Sequence, residues 1–346
     1  MSHYRKKDPK SKKRILIFAV PAAVLVIAAA TAGAFLLRHG GAQETAAGAG
    51  EKTGDQTTGN ETTEADLVWN GTAYNYNDHL SNYLFLGIDN REKAETRTGQ
   101  ANAGQADALY LLSWDRTTDD ITVITIPRDT MTQIEVFGPD GESLGMTEDH
   151  ISLSYAYGDG SHESCRLAQD AVSNLLYGLS IQGYCSINMD GLPVLTESVG
   201  GVTVTVPNDS LEAADPEFRE GAQVTLNGEN TETFVRYRDT KESQSALARM
   251  ERQQEYIRAY GEAAKQRFAE DPGFITNLYG ELEPYMVTNM GTDEFASVMQ
   301  SLSAGSGSES WTVPGEGTEG KSYDEYYVDD DALYEKIIET FYEEAQ

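Results

Sequence analysis

Arginine and glutamine are concentrated in the stretch FVRYRDTKESQSALARMERQQ, residues 234–254, where four arginines fall within seventeen positions. FVRYR is typical of a β-strand, so Arg236 and Arg238 are expected to point to one face of it. ARMERQQ is typical of a helix, on which Arg249 and Gln253 are four positions apart and share a face. Guanidinium groups gathered in this way can form a bidentate clamp for a compact, multiply charged anion such as a pyrophosphate.

A further arginine and two aspartates lie at the ends of predicted strands. Arg128 follows the apolar run ITVITIP, at the usual place for function in an open α/β sheet. Asp89 ends the run NYLFLGID, and Asp107 begins the next strand. Two carboxylates at adjacent strand ends could hold Mg²⁺, which would offset negative charge on the leaving group in phosphoryl transfer. The alternative for each residue taken singly is a simple ion pair at a strand end.

The charge of the chain excludes nucleic acid as the anion. The protein has 26 Lys and Arg against 56 Asp and Glu, a formal net charge of −30. Eight of the basic residues but only one acidic residue lie within residues 1–38, so the remainder is still more acidic. Binding to DNA requires basic patches at the phosphates. We therefore expect a small anion that is bound locally in a pocket.

The N-terminal segment predicts a single-pass membrane protein. Residues 1–14 contain seven basic residues and form a cytoplasmic tail, whereas residues 15–37 are uncharged and would span about 34 Å as a transmembrane helix. A cleaved signal peptide is the alternative, although its apolar region is normally about 7–15 residues long. Residues 38–66, rich in Gly, Thr and Ala, form a flexible linker. Residues 67–346 then form an extracellular domain.

This domain is expected to be α/β, with helices on both faces of a central sheet. The strand order is not determined by the sequence. Strands are predicted at 82–89, 108–114, 121–127, 183–189, 202–207, 231–238 and 309–314, and helices at 161–180, 191–201, 245–269 and 330–345.

The two cysteines, Cys165 and Cys185, lie in the exported part of the chain. An oxidising exterior permits a disulfide that would close a 20-residue segment, and we predict this bridge. Two buried apolar thiols are the alternative.

The motif GEGTEGKS, residues 315–322, matches the phosphate-binding pattern G-x-x-x-x-G-K-[ST]. Two glutamates, Glu316 and Glu319, lie within the loop that would have to cradle phosphates, and YDEYYVDDD follows instead of an apolar helix. We interpret the motif as a solvated turn. A G-x-S-x-G nucleophile elbow is also absent from the sequence, which gives no support to a serine hydrolase.

Several ordered blocks together resemble the LytR-CpsA-Psr family of cell-wall enzymes, over roughly residues 67–268 with a motif-bearing core at 82–268. The blocks are YLFLGIDNR, ITVITIPRDT, ISLSYAYGDG, INMDGLPVLTESVGGVTVTVP, LNGENTETFVRYR and ARMERQQ. The resemblance implies a three-layer α/β/α fold with a central mixed sheet and an apolar pocket for a polyprenyl chain. It also implies an extracytoplasmic phosphotransferase, which moves an anionic glycopolymer (teichoic acid or capsule) from an undecaprenyl-pyrophosphate carrier to peptidoglycan. The single anchor indicates a cell with an exposed wall, of the Gram-positive type.

The resemblance also implies roles for individual residues. Asp89 and Asp107 would hold Mg²⁺, and either would help to deprotonate the acceptor hydroxyl. The residues that would grip the pyrophosphate are Arg128, Arg236, Arg238, Arg249 and Gln253, with Arg91 nearby.

Three features depart from the family pattern. Asp107 is flanked by alanines in ADA, where the family usually has Ser-Asp-Thr, and the loop between Asp89 and Asp107 is longer than usual. ALAR places Ala246 and Ala248 where an Asp and a Gly are common. The missing carboxylate favours an alternative function, a non-catalytic polyprenyl-pyrophosphate-binding scaffold in wall assembly. Hydrolysis of polyprenyl pyrophosphates is a further alternative.

Overall fold

The computed structural model describes residues 65–91, 96–237, 245–304, 309–319 and 323–345. The predicted cytoplasmic tail (1–14), the transmembrane helix (15–37) and nearly all of the linker lie outside these ranges. Among the described residues, no helix is both long and apolar enough to cross a membrane.

The described part of the chain alternates between strands and helices in a mixed α/β order. The strands are β1 (Leu67–Trp69), β2 (Thr72–Tyr76), β3 (Leu80–Ile88), β4 (Ala106–Asp115), β5 (Ile121–Ile126), β6 (Met131–Phe137), β7 (Ser143–His150), β8 (Gly183–Asn188), β9 (Val202–Thr205), β10 (Gln223–Leu226), β11 (Met286–Thr288), β12 (Glu309–Thr312), β13 (Gly315–Glu319), β14 (Asp324–Val328) and β15 (Tyr342–Glu344). The helices are α1 (Leu153–Ala156), α2 (His162–Leu175), α3 (Gly191–Ser198), α4 (Thr231–Arg236), α5 (Ser245–Glu270), α6 (Phe274–Leu282), α7 (Thr292–Ala304) and α8 (Asp330–Phe341).

The central sheet has six strands in the order β11-β8-β3-β4-β5-β12. Strand β3 is parallel to β8 and antiparallel to β4, and β5 is antiparallel to β4 and parallel to β12. Four strands therefore run in one direction, and β4 and β11 run in the other. The carboxyl ends of β3, β5 and β8 therefore lie on the same side of the sheet as the amino end of β4. This row of strand ends is called the sheet edge below.

Helices cover both faces of this sheet. Along β3, Tyr83 and Phe85 belong to one apolar core, and the alternate residues Leu84 and Leu86 belong to the other. The first core is completed by helices α3 to α7, and the second by α1, α2 and α8. Because each large apolar side chain contributes about 1.5–3 kcal/mol when it is fully buried, the two cores hold the three layers together.

The segment after residue 270 completes the same sheet. Strands β11 and β12 are the two outermost strands of the sheet, and β15 pairs with β2 close to the start of the described chain. The C-terminal segment is therefore integral to the packing of the domain that carries the motifs.

The predicted strand at 231–238 is wrong, because α4 occupies Thr231–Arg236. The backbone oxygen of Asn227 accepts from Thr231 N at 3.1 Å and from Thr231 Oγ1 at 2.5 Å, and Asn230 Oδ1 accepts from Asn227 N at 2.8 Å. These local hydrogen bonds begin a helical turn despite the β-branched residues, and Phe234 then packs in the core. The argument that placed Arg236 and Arg238 on one strand face therefore fails, and Arg238 lies outside the described residues.

The predicted disulfide is also wrong, because Cys165 and Cys185 are both free and buried. Neighbouring residues of β8 point to opposite faces of the sheet. Cys185 belongs to the first core, whereas Cys165 on α2 belongs to the second and donates to Ser186 Oγ at 3.3 Å. The two thiols are thus separated by the sheet, and the alternative of two buried thiols holds.

The first five residues of the motif GEGTEGKS form a strand of a β-hairpin and not the expected solvated turn. Gly315–Glu319 forms β13 and pairs antiparallel with β14, and the part of the motif at 320–322 lies outside the described residues. A strand in a hairpin does not provide the helix N-terminus that phosphate binding by this motif requires.

Candidate active site

The two aspartates meet at the edge of the sheet where β3 ends and β4 begins. Ile88 pairs with Ala106 across an irregularity in the β3–β4 register. The backbone N–H of Gln105 donates to Asp89 Oδ1 at 2.7 Å, and the backbone N–H of Asp89 donates to Gln105 O at 3.1 Å. The Asp89 carboxylate is thereby fixed beside the start of β4, close in space to Asp107.

Arg128 lies two residues beyond the end of β5 and is held by three side chains. Its Nη1 donates to Asp107 Oδ1, its Nε donates to Asp129 Oδ1 at 3.1 Å, and its Nη2 donates to Gln105 Oε1 at 3.2 Å. The Arg128 and Asp107 side chains are 28% and 25% exposed. This guanidinium is therefore oriented before any ligand binds, yet it remains accessible from solvent.

The electrostatics of Asp107 show which charges surround it. Burial raises the pKa of the Asp107 carboxyl above its usual range, and the Arg128 guanidinium opposes this rise. The Asp89 carboxylate raises the Asp107 pKa further, whereas Arg249 lowers it. The structure thus brings together four of the residues that the sequence predicted for the site: Asp89, Asp107, Arg128 and Arg249.

Two other predicted arginines share one carboxylate. Glu232 Oε1, on α4, accepts from Arg236 Nη1 at 2.7 Å and from Arg91 Nη2. Arg91 is only two residues beyond Asp89, so the group of Arg91, Glu232 and Arg236 lies next to the sheet edge that carries the two aspartates. The Arg91 and Arg236 side chains are 62% and 42% exposed, and they present their other N–H donors on an open surface.

Gln253 contacts the backbone of the segment that carries Arg236. Its Nε2 donates to Val235 O at 3.0 Å. The adjacent residue on α5, Arg252, is only 1% exposed and donates through Nε to Phe234 O at 2.7 Å. The helix that carries Arg249 is therefore fastened to the end of α4 by two consecutive side chains.

Four residues of this arrangement have no role in the sequence-based prediction. Arg252 lies among the clustered arginines, and Asp129 lies in the block IPRDT, but neither is distinguished there by its type or spacing. Glu232 precedes Arg236 by four positions on a helix, a spacing that indicates an ion pair only when the segment is recognised as helical. Gln105 lies in the long loop between the two aspartates, and no feature of the sequence points to it.

The donor set fits a magnesium ion that is completed by ligand and water. Within the described ranges, no three His, Cys, Asp or Glu side chains gather closely enough to hold a metal ion by themselves. Mg²⁺ is commonly bound through one or two carboxylates together with substrate phosphates and several waters. Asp89 and Asp107 supply two carboxylates, and a cation between them would relieve the repulsion that contributes to the raised Asp107 pKa.

Solved structures share this fold. B. subtilis TagV superposes with a TM-score of 0.53 at 20% identity, covering 76% of this chain and 97% of that one. Protein gbs0355 from Streptococcus agalactiae gives a TM-score of 0.54 at 22% identity, covering 75% and 87%. TagT bound to LI-WTA gives 0.52 at 21% identity, covering 76% and 89%. At these identities the likeness establishes the mixed α/β fold.

Curated relatives match part of their own length. A polyisoprenyl-teichoic acid–peptidoglycan teichoic acid transferase TagU of Oceanobacillus iheyensis is 29% identical over 227 residues, 64% of this chain and 61% of the relative. A protein of the same name from Halalkalibacterium halodurans is 29% identical over 199 residues, 57% and 58% of the two chains. TagV of Bacillus subtilis is 28% identical over 182 residues, 51% and 41%. The matched region thus spans about two fifths to three fifths of these relatives.

The family comparison covers most of the protein. The model of the LytR_cpsA_psr family matches residues 42–341, which include every described strand and helix apart from the C-terminal strand β15. This chain belongs to the LytR-CpsA-Psr family.

Proposed function

We propose that this protein is an extracytoplasmic, Mg²⁺-dependent phosphotransferase that joins an anionic glycopolymer to peptidoglycan. The donor is the polymer on a polyprenyl-pyrophosphate carrier, and the product is a phosphodiester. The observation that carries the proposal is Arg128, held by Asp107, Asp129 and Gln105 at the sheet edge beside Asp89. The transferase names of the curated relatives support the same reaction class.

The arginines bind the diphosphate. Arg128 is paired with Asp107, and Arg249 acts on Asp107 through its charge, while Arg91 and Arg236 are paired with Glu232. Two groups of guanidinium donors therefore adjoin at one edge. A guanidinium presents five N–H donors in a fixed fork, so donors that the carboxylates leave unused are available to phosphate oxygens. Arg238, predicted from the same block, belongs to the proposed clamp.

Asp107 is the proposed base for the acceptor hydroxyl. Because burial raises its pKa, this carboxylate takes a proton more readily than an ordinary aspartate does. The acceptor oxygen forms a bond to the phosphorus nearer the glycan, and the bond from that phosphorus to the bridging oxygen breaks. The polyprenyl phosphate leaves with the bridging oxygen, and the hydroxyl proton passes to Asp107.

Asp89 and Asp107 are the residues that would hold Mg²⁺, which when bound offsets the negative charge of the diphosphate. Asp89 keeps its own orientation through the Gln105 backbone N–H. In this arrangement Asp89 serves mainly the metal, while Asp107 also faces Arg128.

The proposed location follows from the sequence. Residues 15–37 anchor the chain in the membrane, with residues 1–14 in the cytoplasm and the domain outside. The linker at 38–66 lets the domain reach both a membrane-bound carrier and the wall. The family resemblance implies an apolar pocket for the polyprenyl chain, and this pocket remains a prediction.

The test uses the full-length protein in lipid nanodiscs with Mg²⁺, a polyprenyl-pyrophosphate-linked oligosaccharide and short peptidoglycan glycans. Mass spectrometry should detect sugar phosphate joined to the glycan, and Arg128→Ala and a chelator should each abolish the product. Arg166→Ala is the matched control, since Arg166 pairs with Glu163 and Asp170 on the exposed side of α2.

Two other results would identify a different function. Tight carrier binding with no transfer would identify a scaffold, in line with the alanines of ALAR. Release of sugar phosphate into water would identify a hydrolase.

A further inference from the structure

The carbonyl groups at the end of α4 are satisfied from another helix. The last carbonyls of an α-helix have no partner within the helix and need an external donor. At the end of α4, the carbonyls of Phe234 and Tyr237 accept from Arg252, and that of Val235 accepts from Gln253. Side chains from α5 therefore cap the end of α4.

Arg252 reaches two parts of the chain at once. Its Nε and Nη2 donate to Phe234 O and Tyr237 O, and its Nη1 donates to Ser210 Oγ in the loop after β9. The planar fork of a guanidinium can span such a set, whereas a lysine ammonium is a compact charge on a flexible stem. The geometry thus depends on the arginine side chain and not only on its charge.

Burying this guanidinium is unfavourable. Burial lowers the pKa of Arg252 to about 10, and the nearby charge of Arg249 lowers it as well. Among the described residues its hydrogen-bond partners are neutral carbonyl, hydroxyl and amide oxygens, including Asn208 Oδ1 at 3.5 Å. Glu251 acts on Arg252 only as a nearby negative charge, so a guanidinium whose hydrogen bonds go to neutral oxygens is weak support for stability.

The segment that Arg252 holds, residues 234–237, carries Arg236, one of the arginines proposed to bind the diphosphate. Arg236 lies between Phe234 and Tyr237, the two residues whose carbonyls Arg252 holds. With both ends of this short segment fastened, the Arg236 side chain has a fixed origin from which it meets Glu232, the carboxylate that it shares with Arg91.

We propose that Arg252 is a positioning residue for diphosphate binding, acting through residues 234–237 to present Arg236 without touching the ligand. The inference rests on the proposed function, since it assumes that Arg236 binds a diphosphate. Gln253 supports the same segment through Val235 O.

The experiment is a double-mutant cycle on the full-length protein in nanodiscs, with farnesyl diphosphate and Mg²⁺ as the probe and calorimetry as the measurement. Arg252→Lys keeps the charge and loses the fork, and we expect binding at least tenfold weaker. Arg236→Ala should weaken binding about tenfold in the wild-type background but less than twofold in the Arg252→Lys background. This loss of additivity is the signature of action through Arg236.

Two variants separate positioning from general destabilisation. Leu278→Ala removes a buried side chain of α6, away from the clamp in sequence, and should lower Tm while leaving diphosphate affinity within twofold of wild type. Ser210→Ala removes one hydrogen-bond partner of the Arg252 guanidinium and should weaken diphosphate binding two- to threefold. This loss, too, should not add to the loss caused by Arg236→Ala. If Arg252→Lys does not fold, the Ser210→Ala cycle is the measurement that decides.

Each remaining result has a distinct meaning. Wild-type affinity in folded Arg252→Lys, or losses that add fully to those of Arg236→Ala, would overturn the positioning role while the proposed function stands. If the wild type binds no farnesyl diphosphate, or Arg128→Ala binds it equally well, the proposed function fails and this inference fails with it.

Discussion

Arg128 donates through Nη1 to Asp107 Oδ1, so the proposed phosphate ligand and the proposed base are already paired before any substrate binds. This pairing has two consequences. It fixes the guanidinium beside the place where a phosphate would lie, and it opposes the rise of the Asp107 pKa.

The first prediction concerns the titration of Asp107. In metal-free protein its pKa should lie above about 3.9, the ordinary value for aspartate, because burial disfavours the charged form. Asp89→Asn removes a neighbouring negative charge and should lower the Asp107 pKa. Arg249→Gln removes a positive charge and should raise it. The measurement is the ¹³C chemical shift of the Asp107 carboxyl against pH in chelator-treated samples.

The opposite directions of the two shifts make this prediction specific. A variant that merely loosened the site would move the Asp107 pKa the same way in both cases, towards the value in water. Asp170→Asn, on the exposed side of α2, is the control and should leave the Asp107 titration unchanged. Equal shifts in the same direction would show that Asp89 and Arg249 do not act on Asp107 through charge.

The second prediction concerns Gly104, in the loop that precedes Asp107. Its φ is +89°, and a Cβ there would lie 3.0 Å from Asp89 Oδ1 and from Asn90 Nδ2. Gly104→Ala should therefore strain the backbone by about 1–2 kcal/mol and also displace the Asp89 carboxylate. We expect a lower Tm and at least a tenfold loss of transfer activity, measured with the oligosaccharide donor.

A matched glycine separates the two effects of this substitution. Gly178 has a φ of +84°, and a Cβ there would meet nothing within 4 Å. Gly178→Ala should lower Tm by a similar amount and leave transfer activity unchanged. If Gly104→Ala were as active as Gly178→Ala, the position of the Asp89 carboxylate would not matter for the reaction.

The buried strands are predictable from the sequence because they are short apolar runs bounded by polar turns. The run predicted at 82–89 is β3 at Leu80–Ile88, and the run at 121–127 is β5 at Ile121–Ile126. The grouping of Asp89, Asp107 and Arg128 depends in addition on the strand order, which the sequence does not determine. Strand β4 lies between β3 and β5 and runs antiparallel to both, so its first residues meet their carboxyl ends.

The remainder of the site depends on contacts that no local pattern contains. Arg91 and Glu232 are 141 positions apart, and their ion pair follows from packing of the whole domain. The error at 231–238 has a local cause, because Thr and Val favour strands on average while Asn227 and Asn230 set up a helical turn. The cysteine error arose because spacing along the chain does not reveal the face of a sheet on which a side chain lies.

The third prediction concerns the two thiols. Burial raises the pKa of the Cys165 thiol to about 12 and raises that of Cys185 as well, so both are protonated and inaccessible in the native state. A thiol reagent should find no reactive cysteine in the folded protein and two after denaturation in guanidinium. A reductant should leave Tm unchanged. A Tm that falls by several degrees with reductant would instead indicate a structural bridge.

The fourth prediction concerns Glu232, which holds Arg91 and Arg236 before ligand binds. Its carboxylate competes with the diphosphate for the same guanidinium groups and repels its charge. At an effective separation of about 6 Å in water, each pair of like charges costs about 0.7 kcal/mol. Glu232→Gln should therefore bind farnesyl diphosphate about three- to tenfold more tightly, as measured by calorimetry.

The control for this prediction is Glu163→Gln, which removes one of the two carboxylates paired with Arg166 on the exposed side of α2 and should not change diphosphate affinity. Raising the salt concentration should shrink the gain of Glu232→Gln, because screening weakens repulsion between exposed charges. Weaker binding by Glu232→Gln would reverse the interpretation. The carboxylate would then act mainly by holding Arg91 and Arg236 in the orientation that the diphosphate needs, and its repulsion would be the smaller effect.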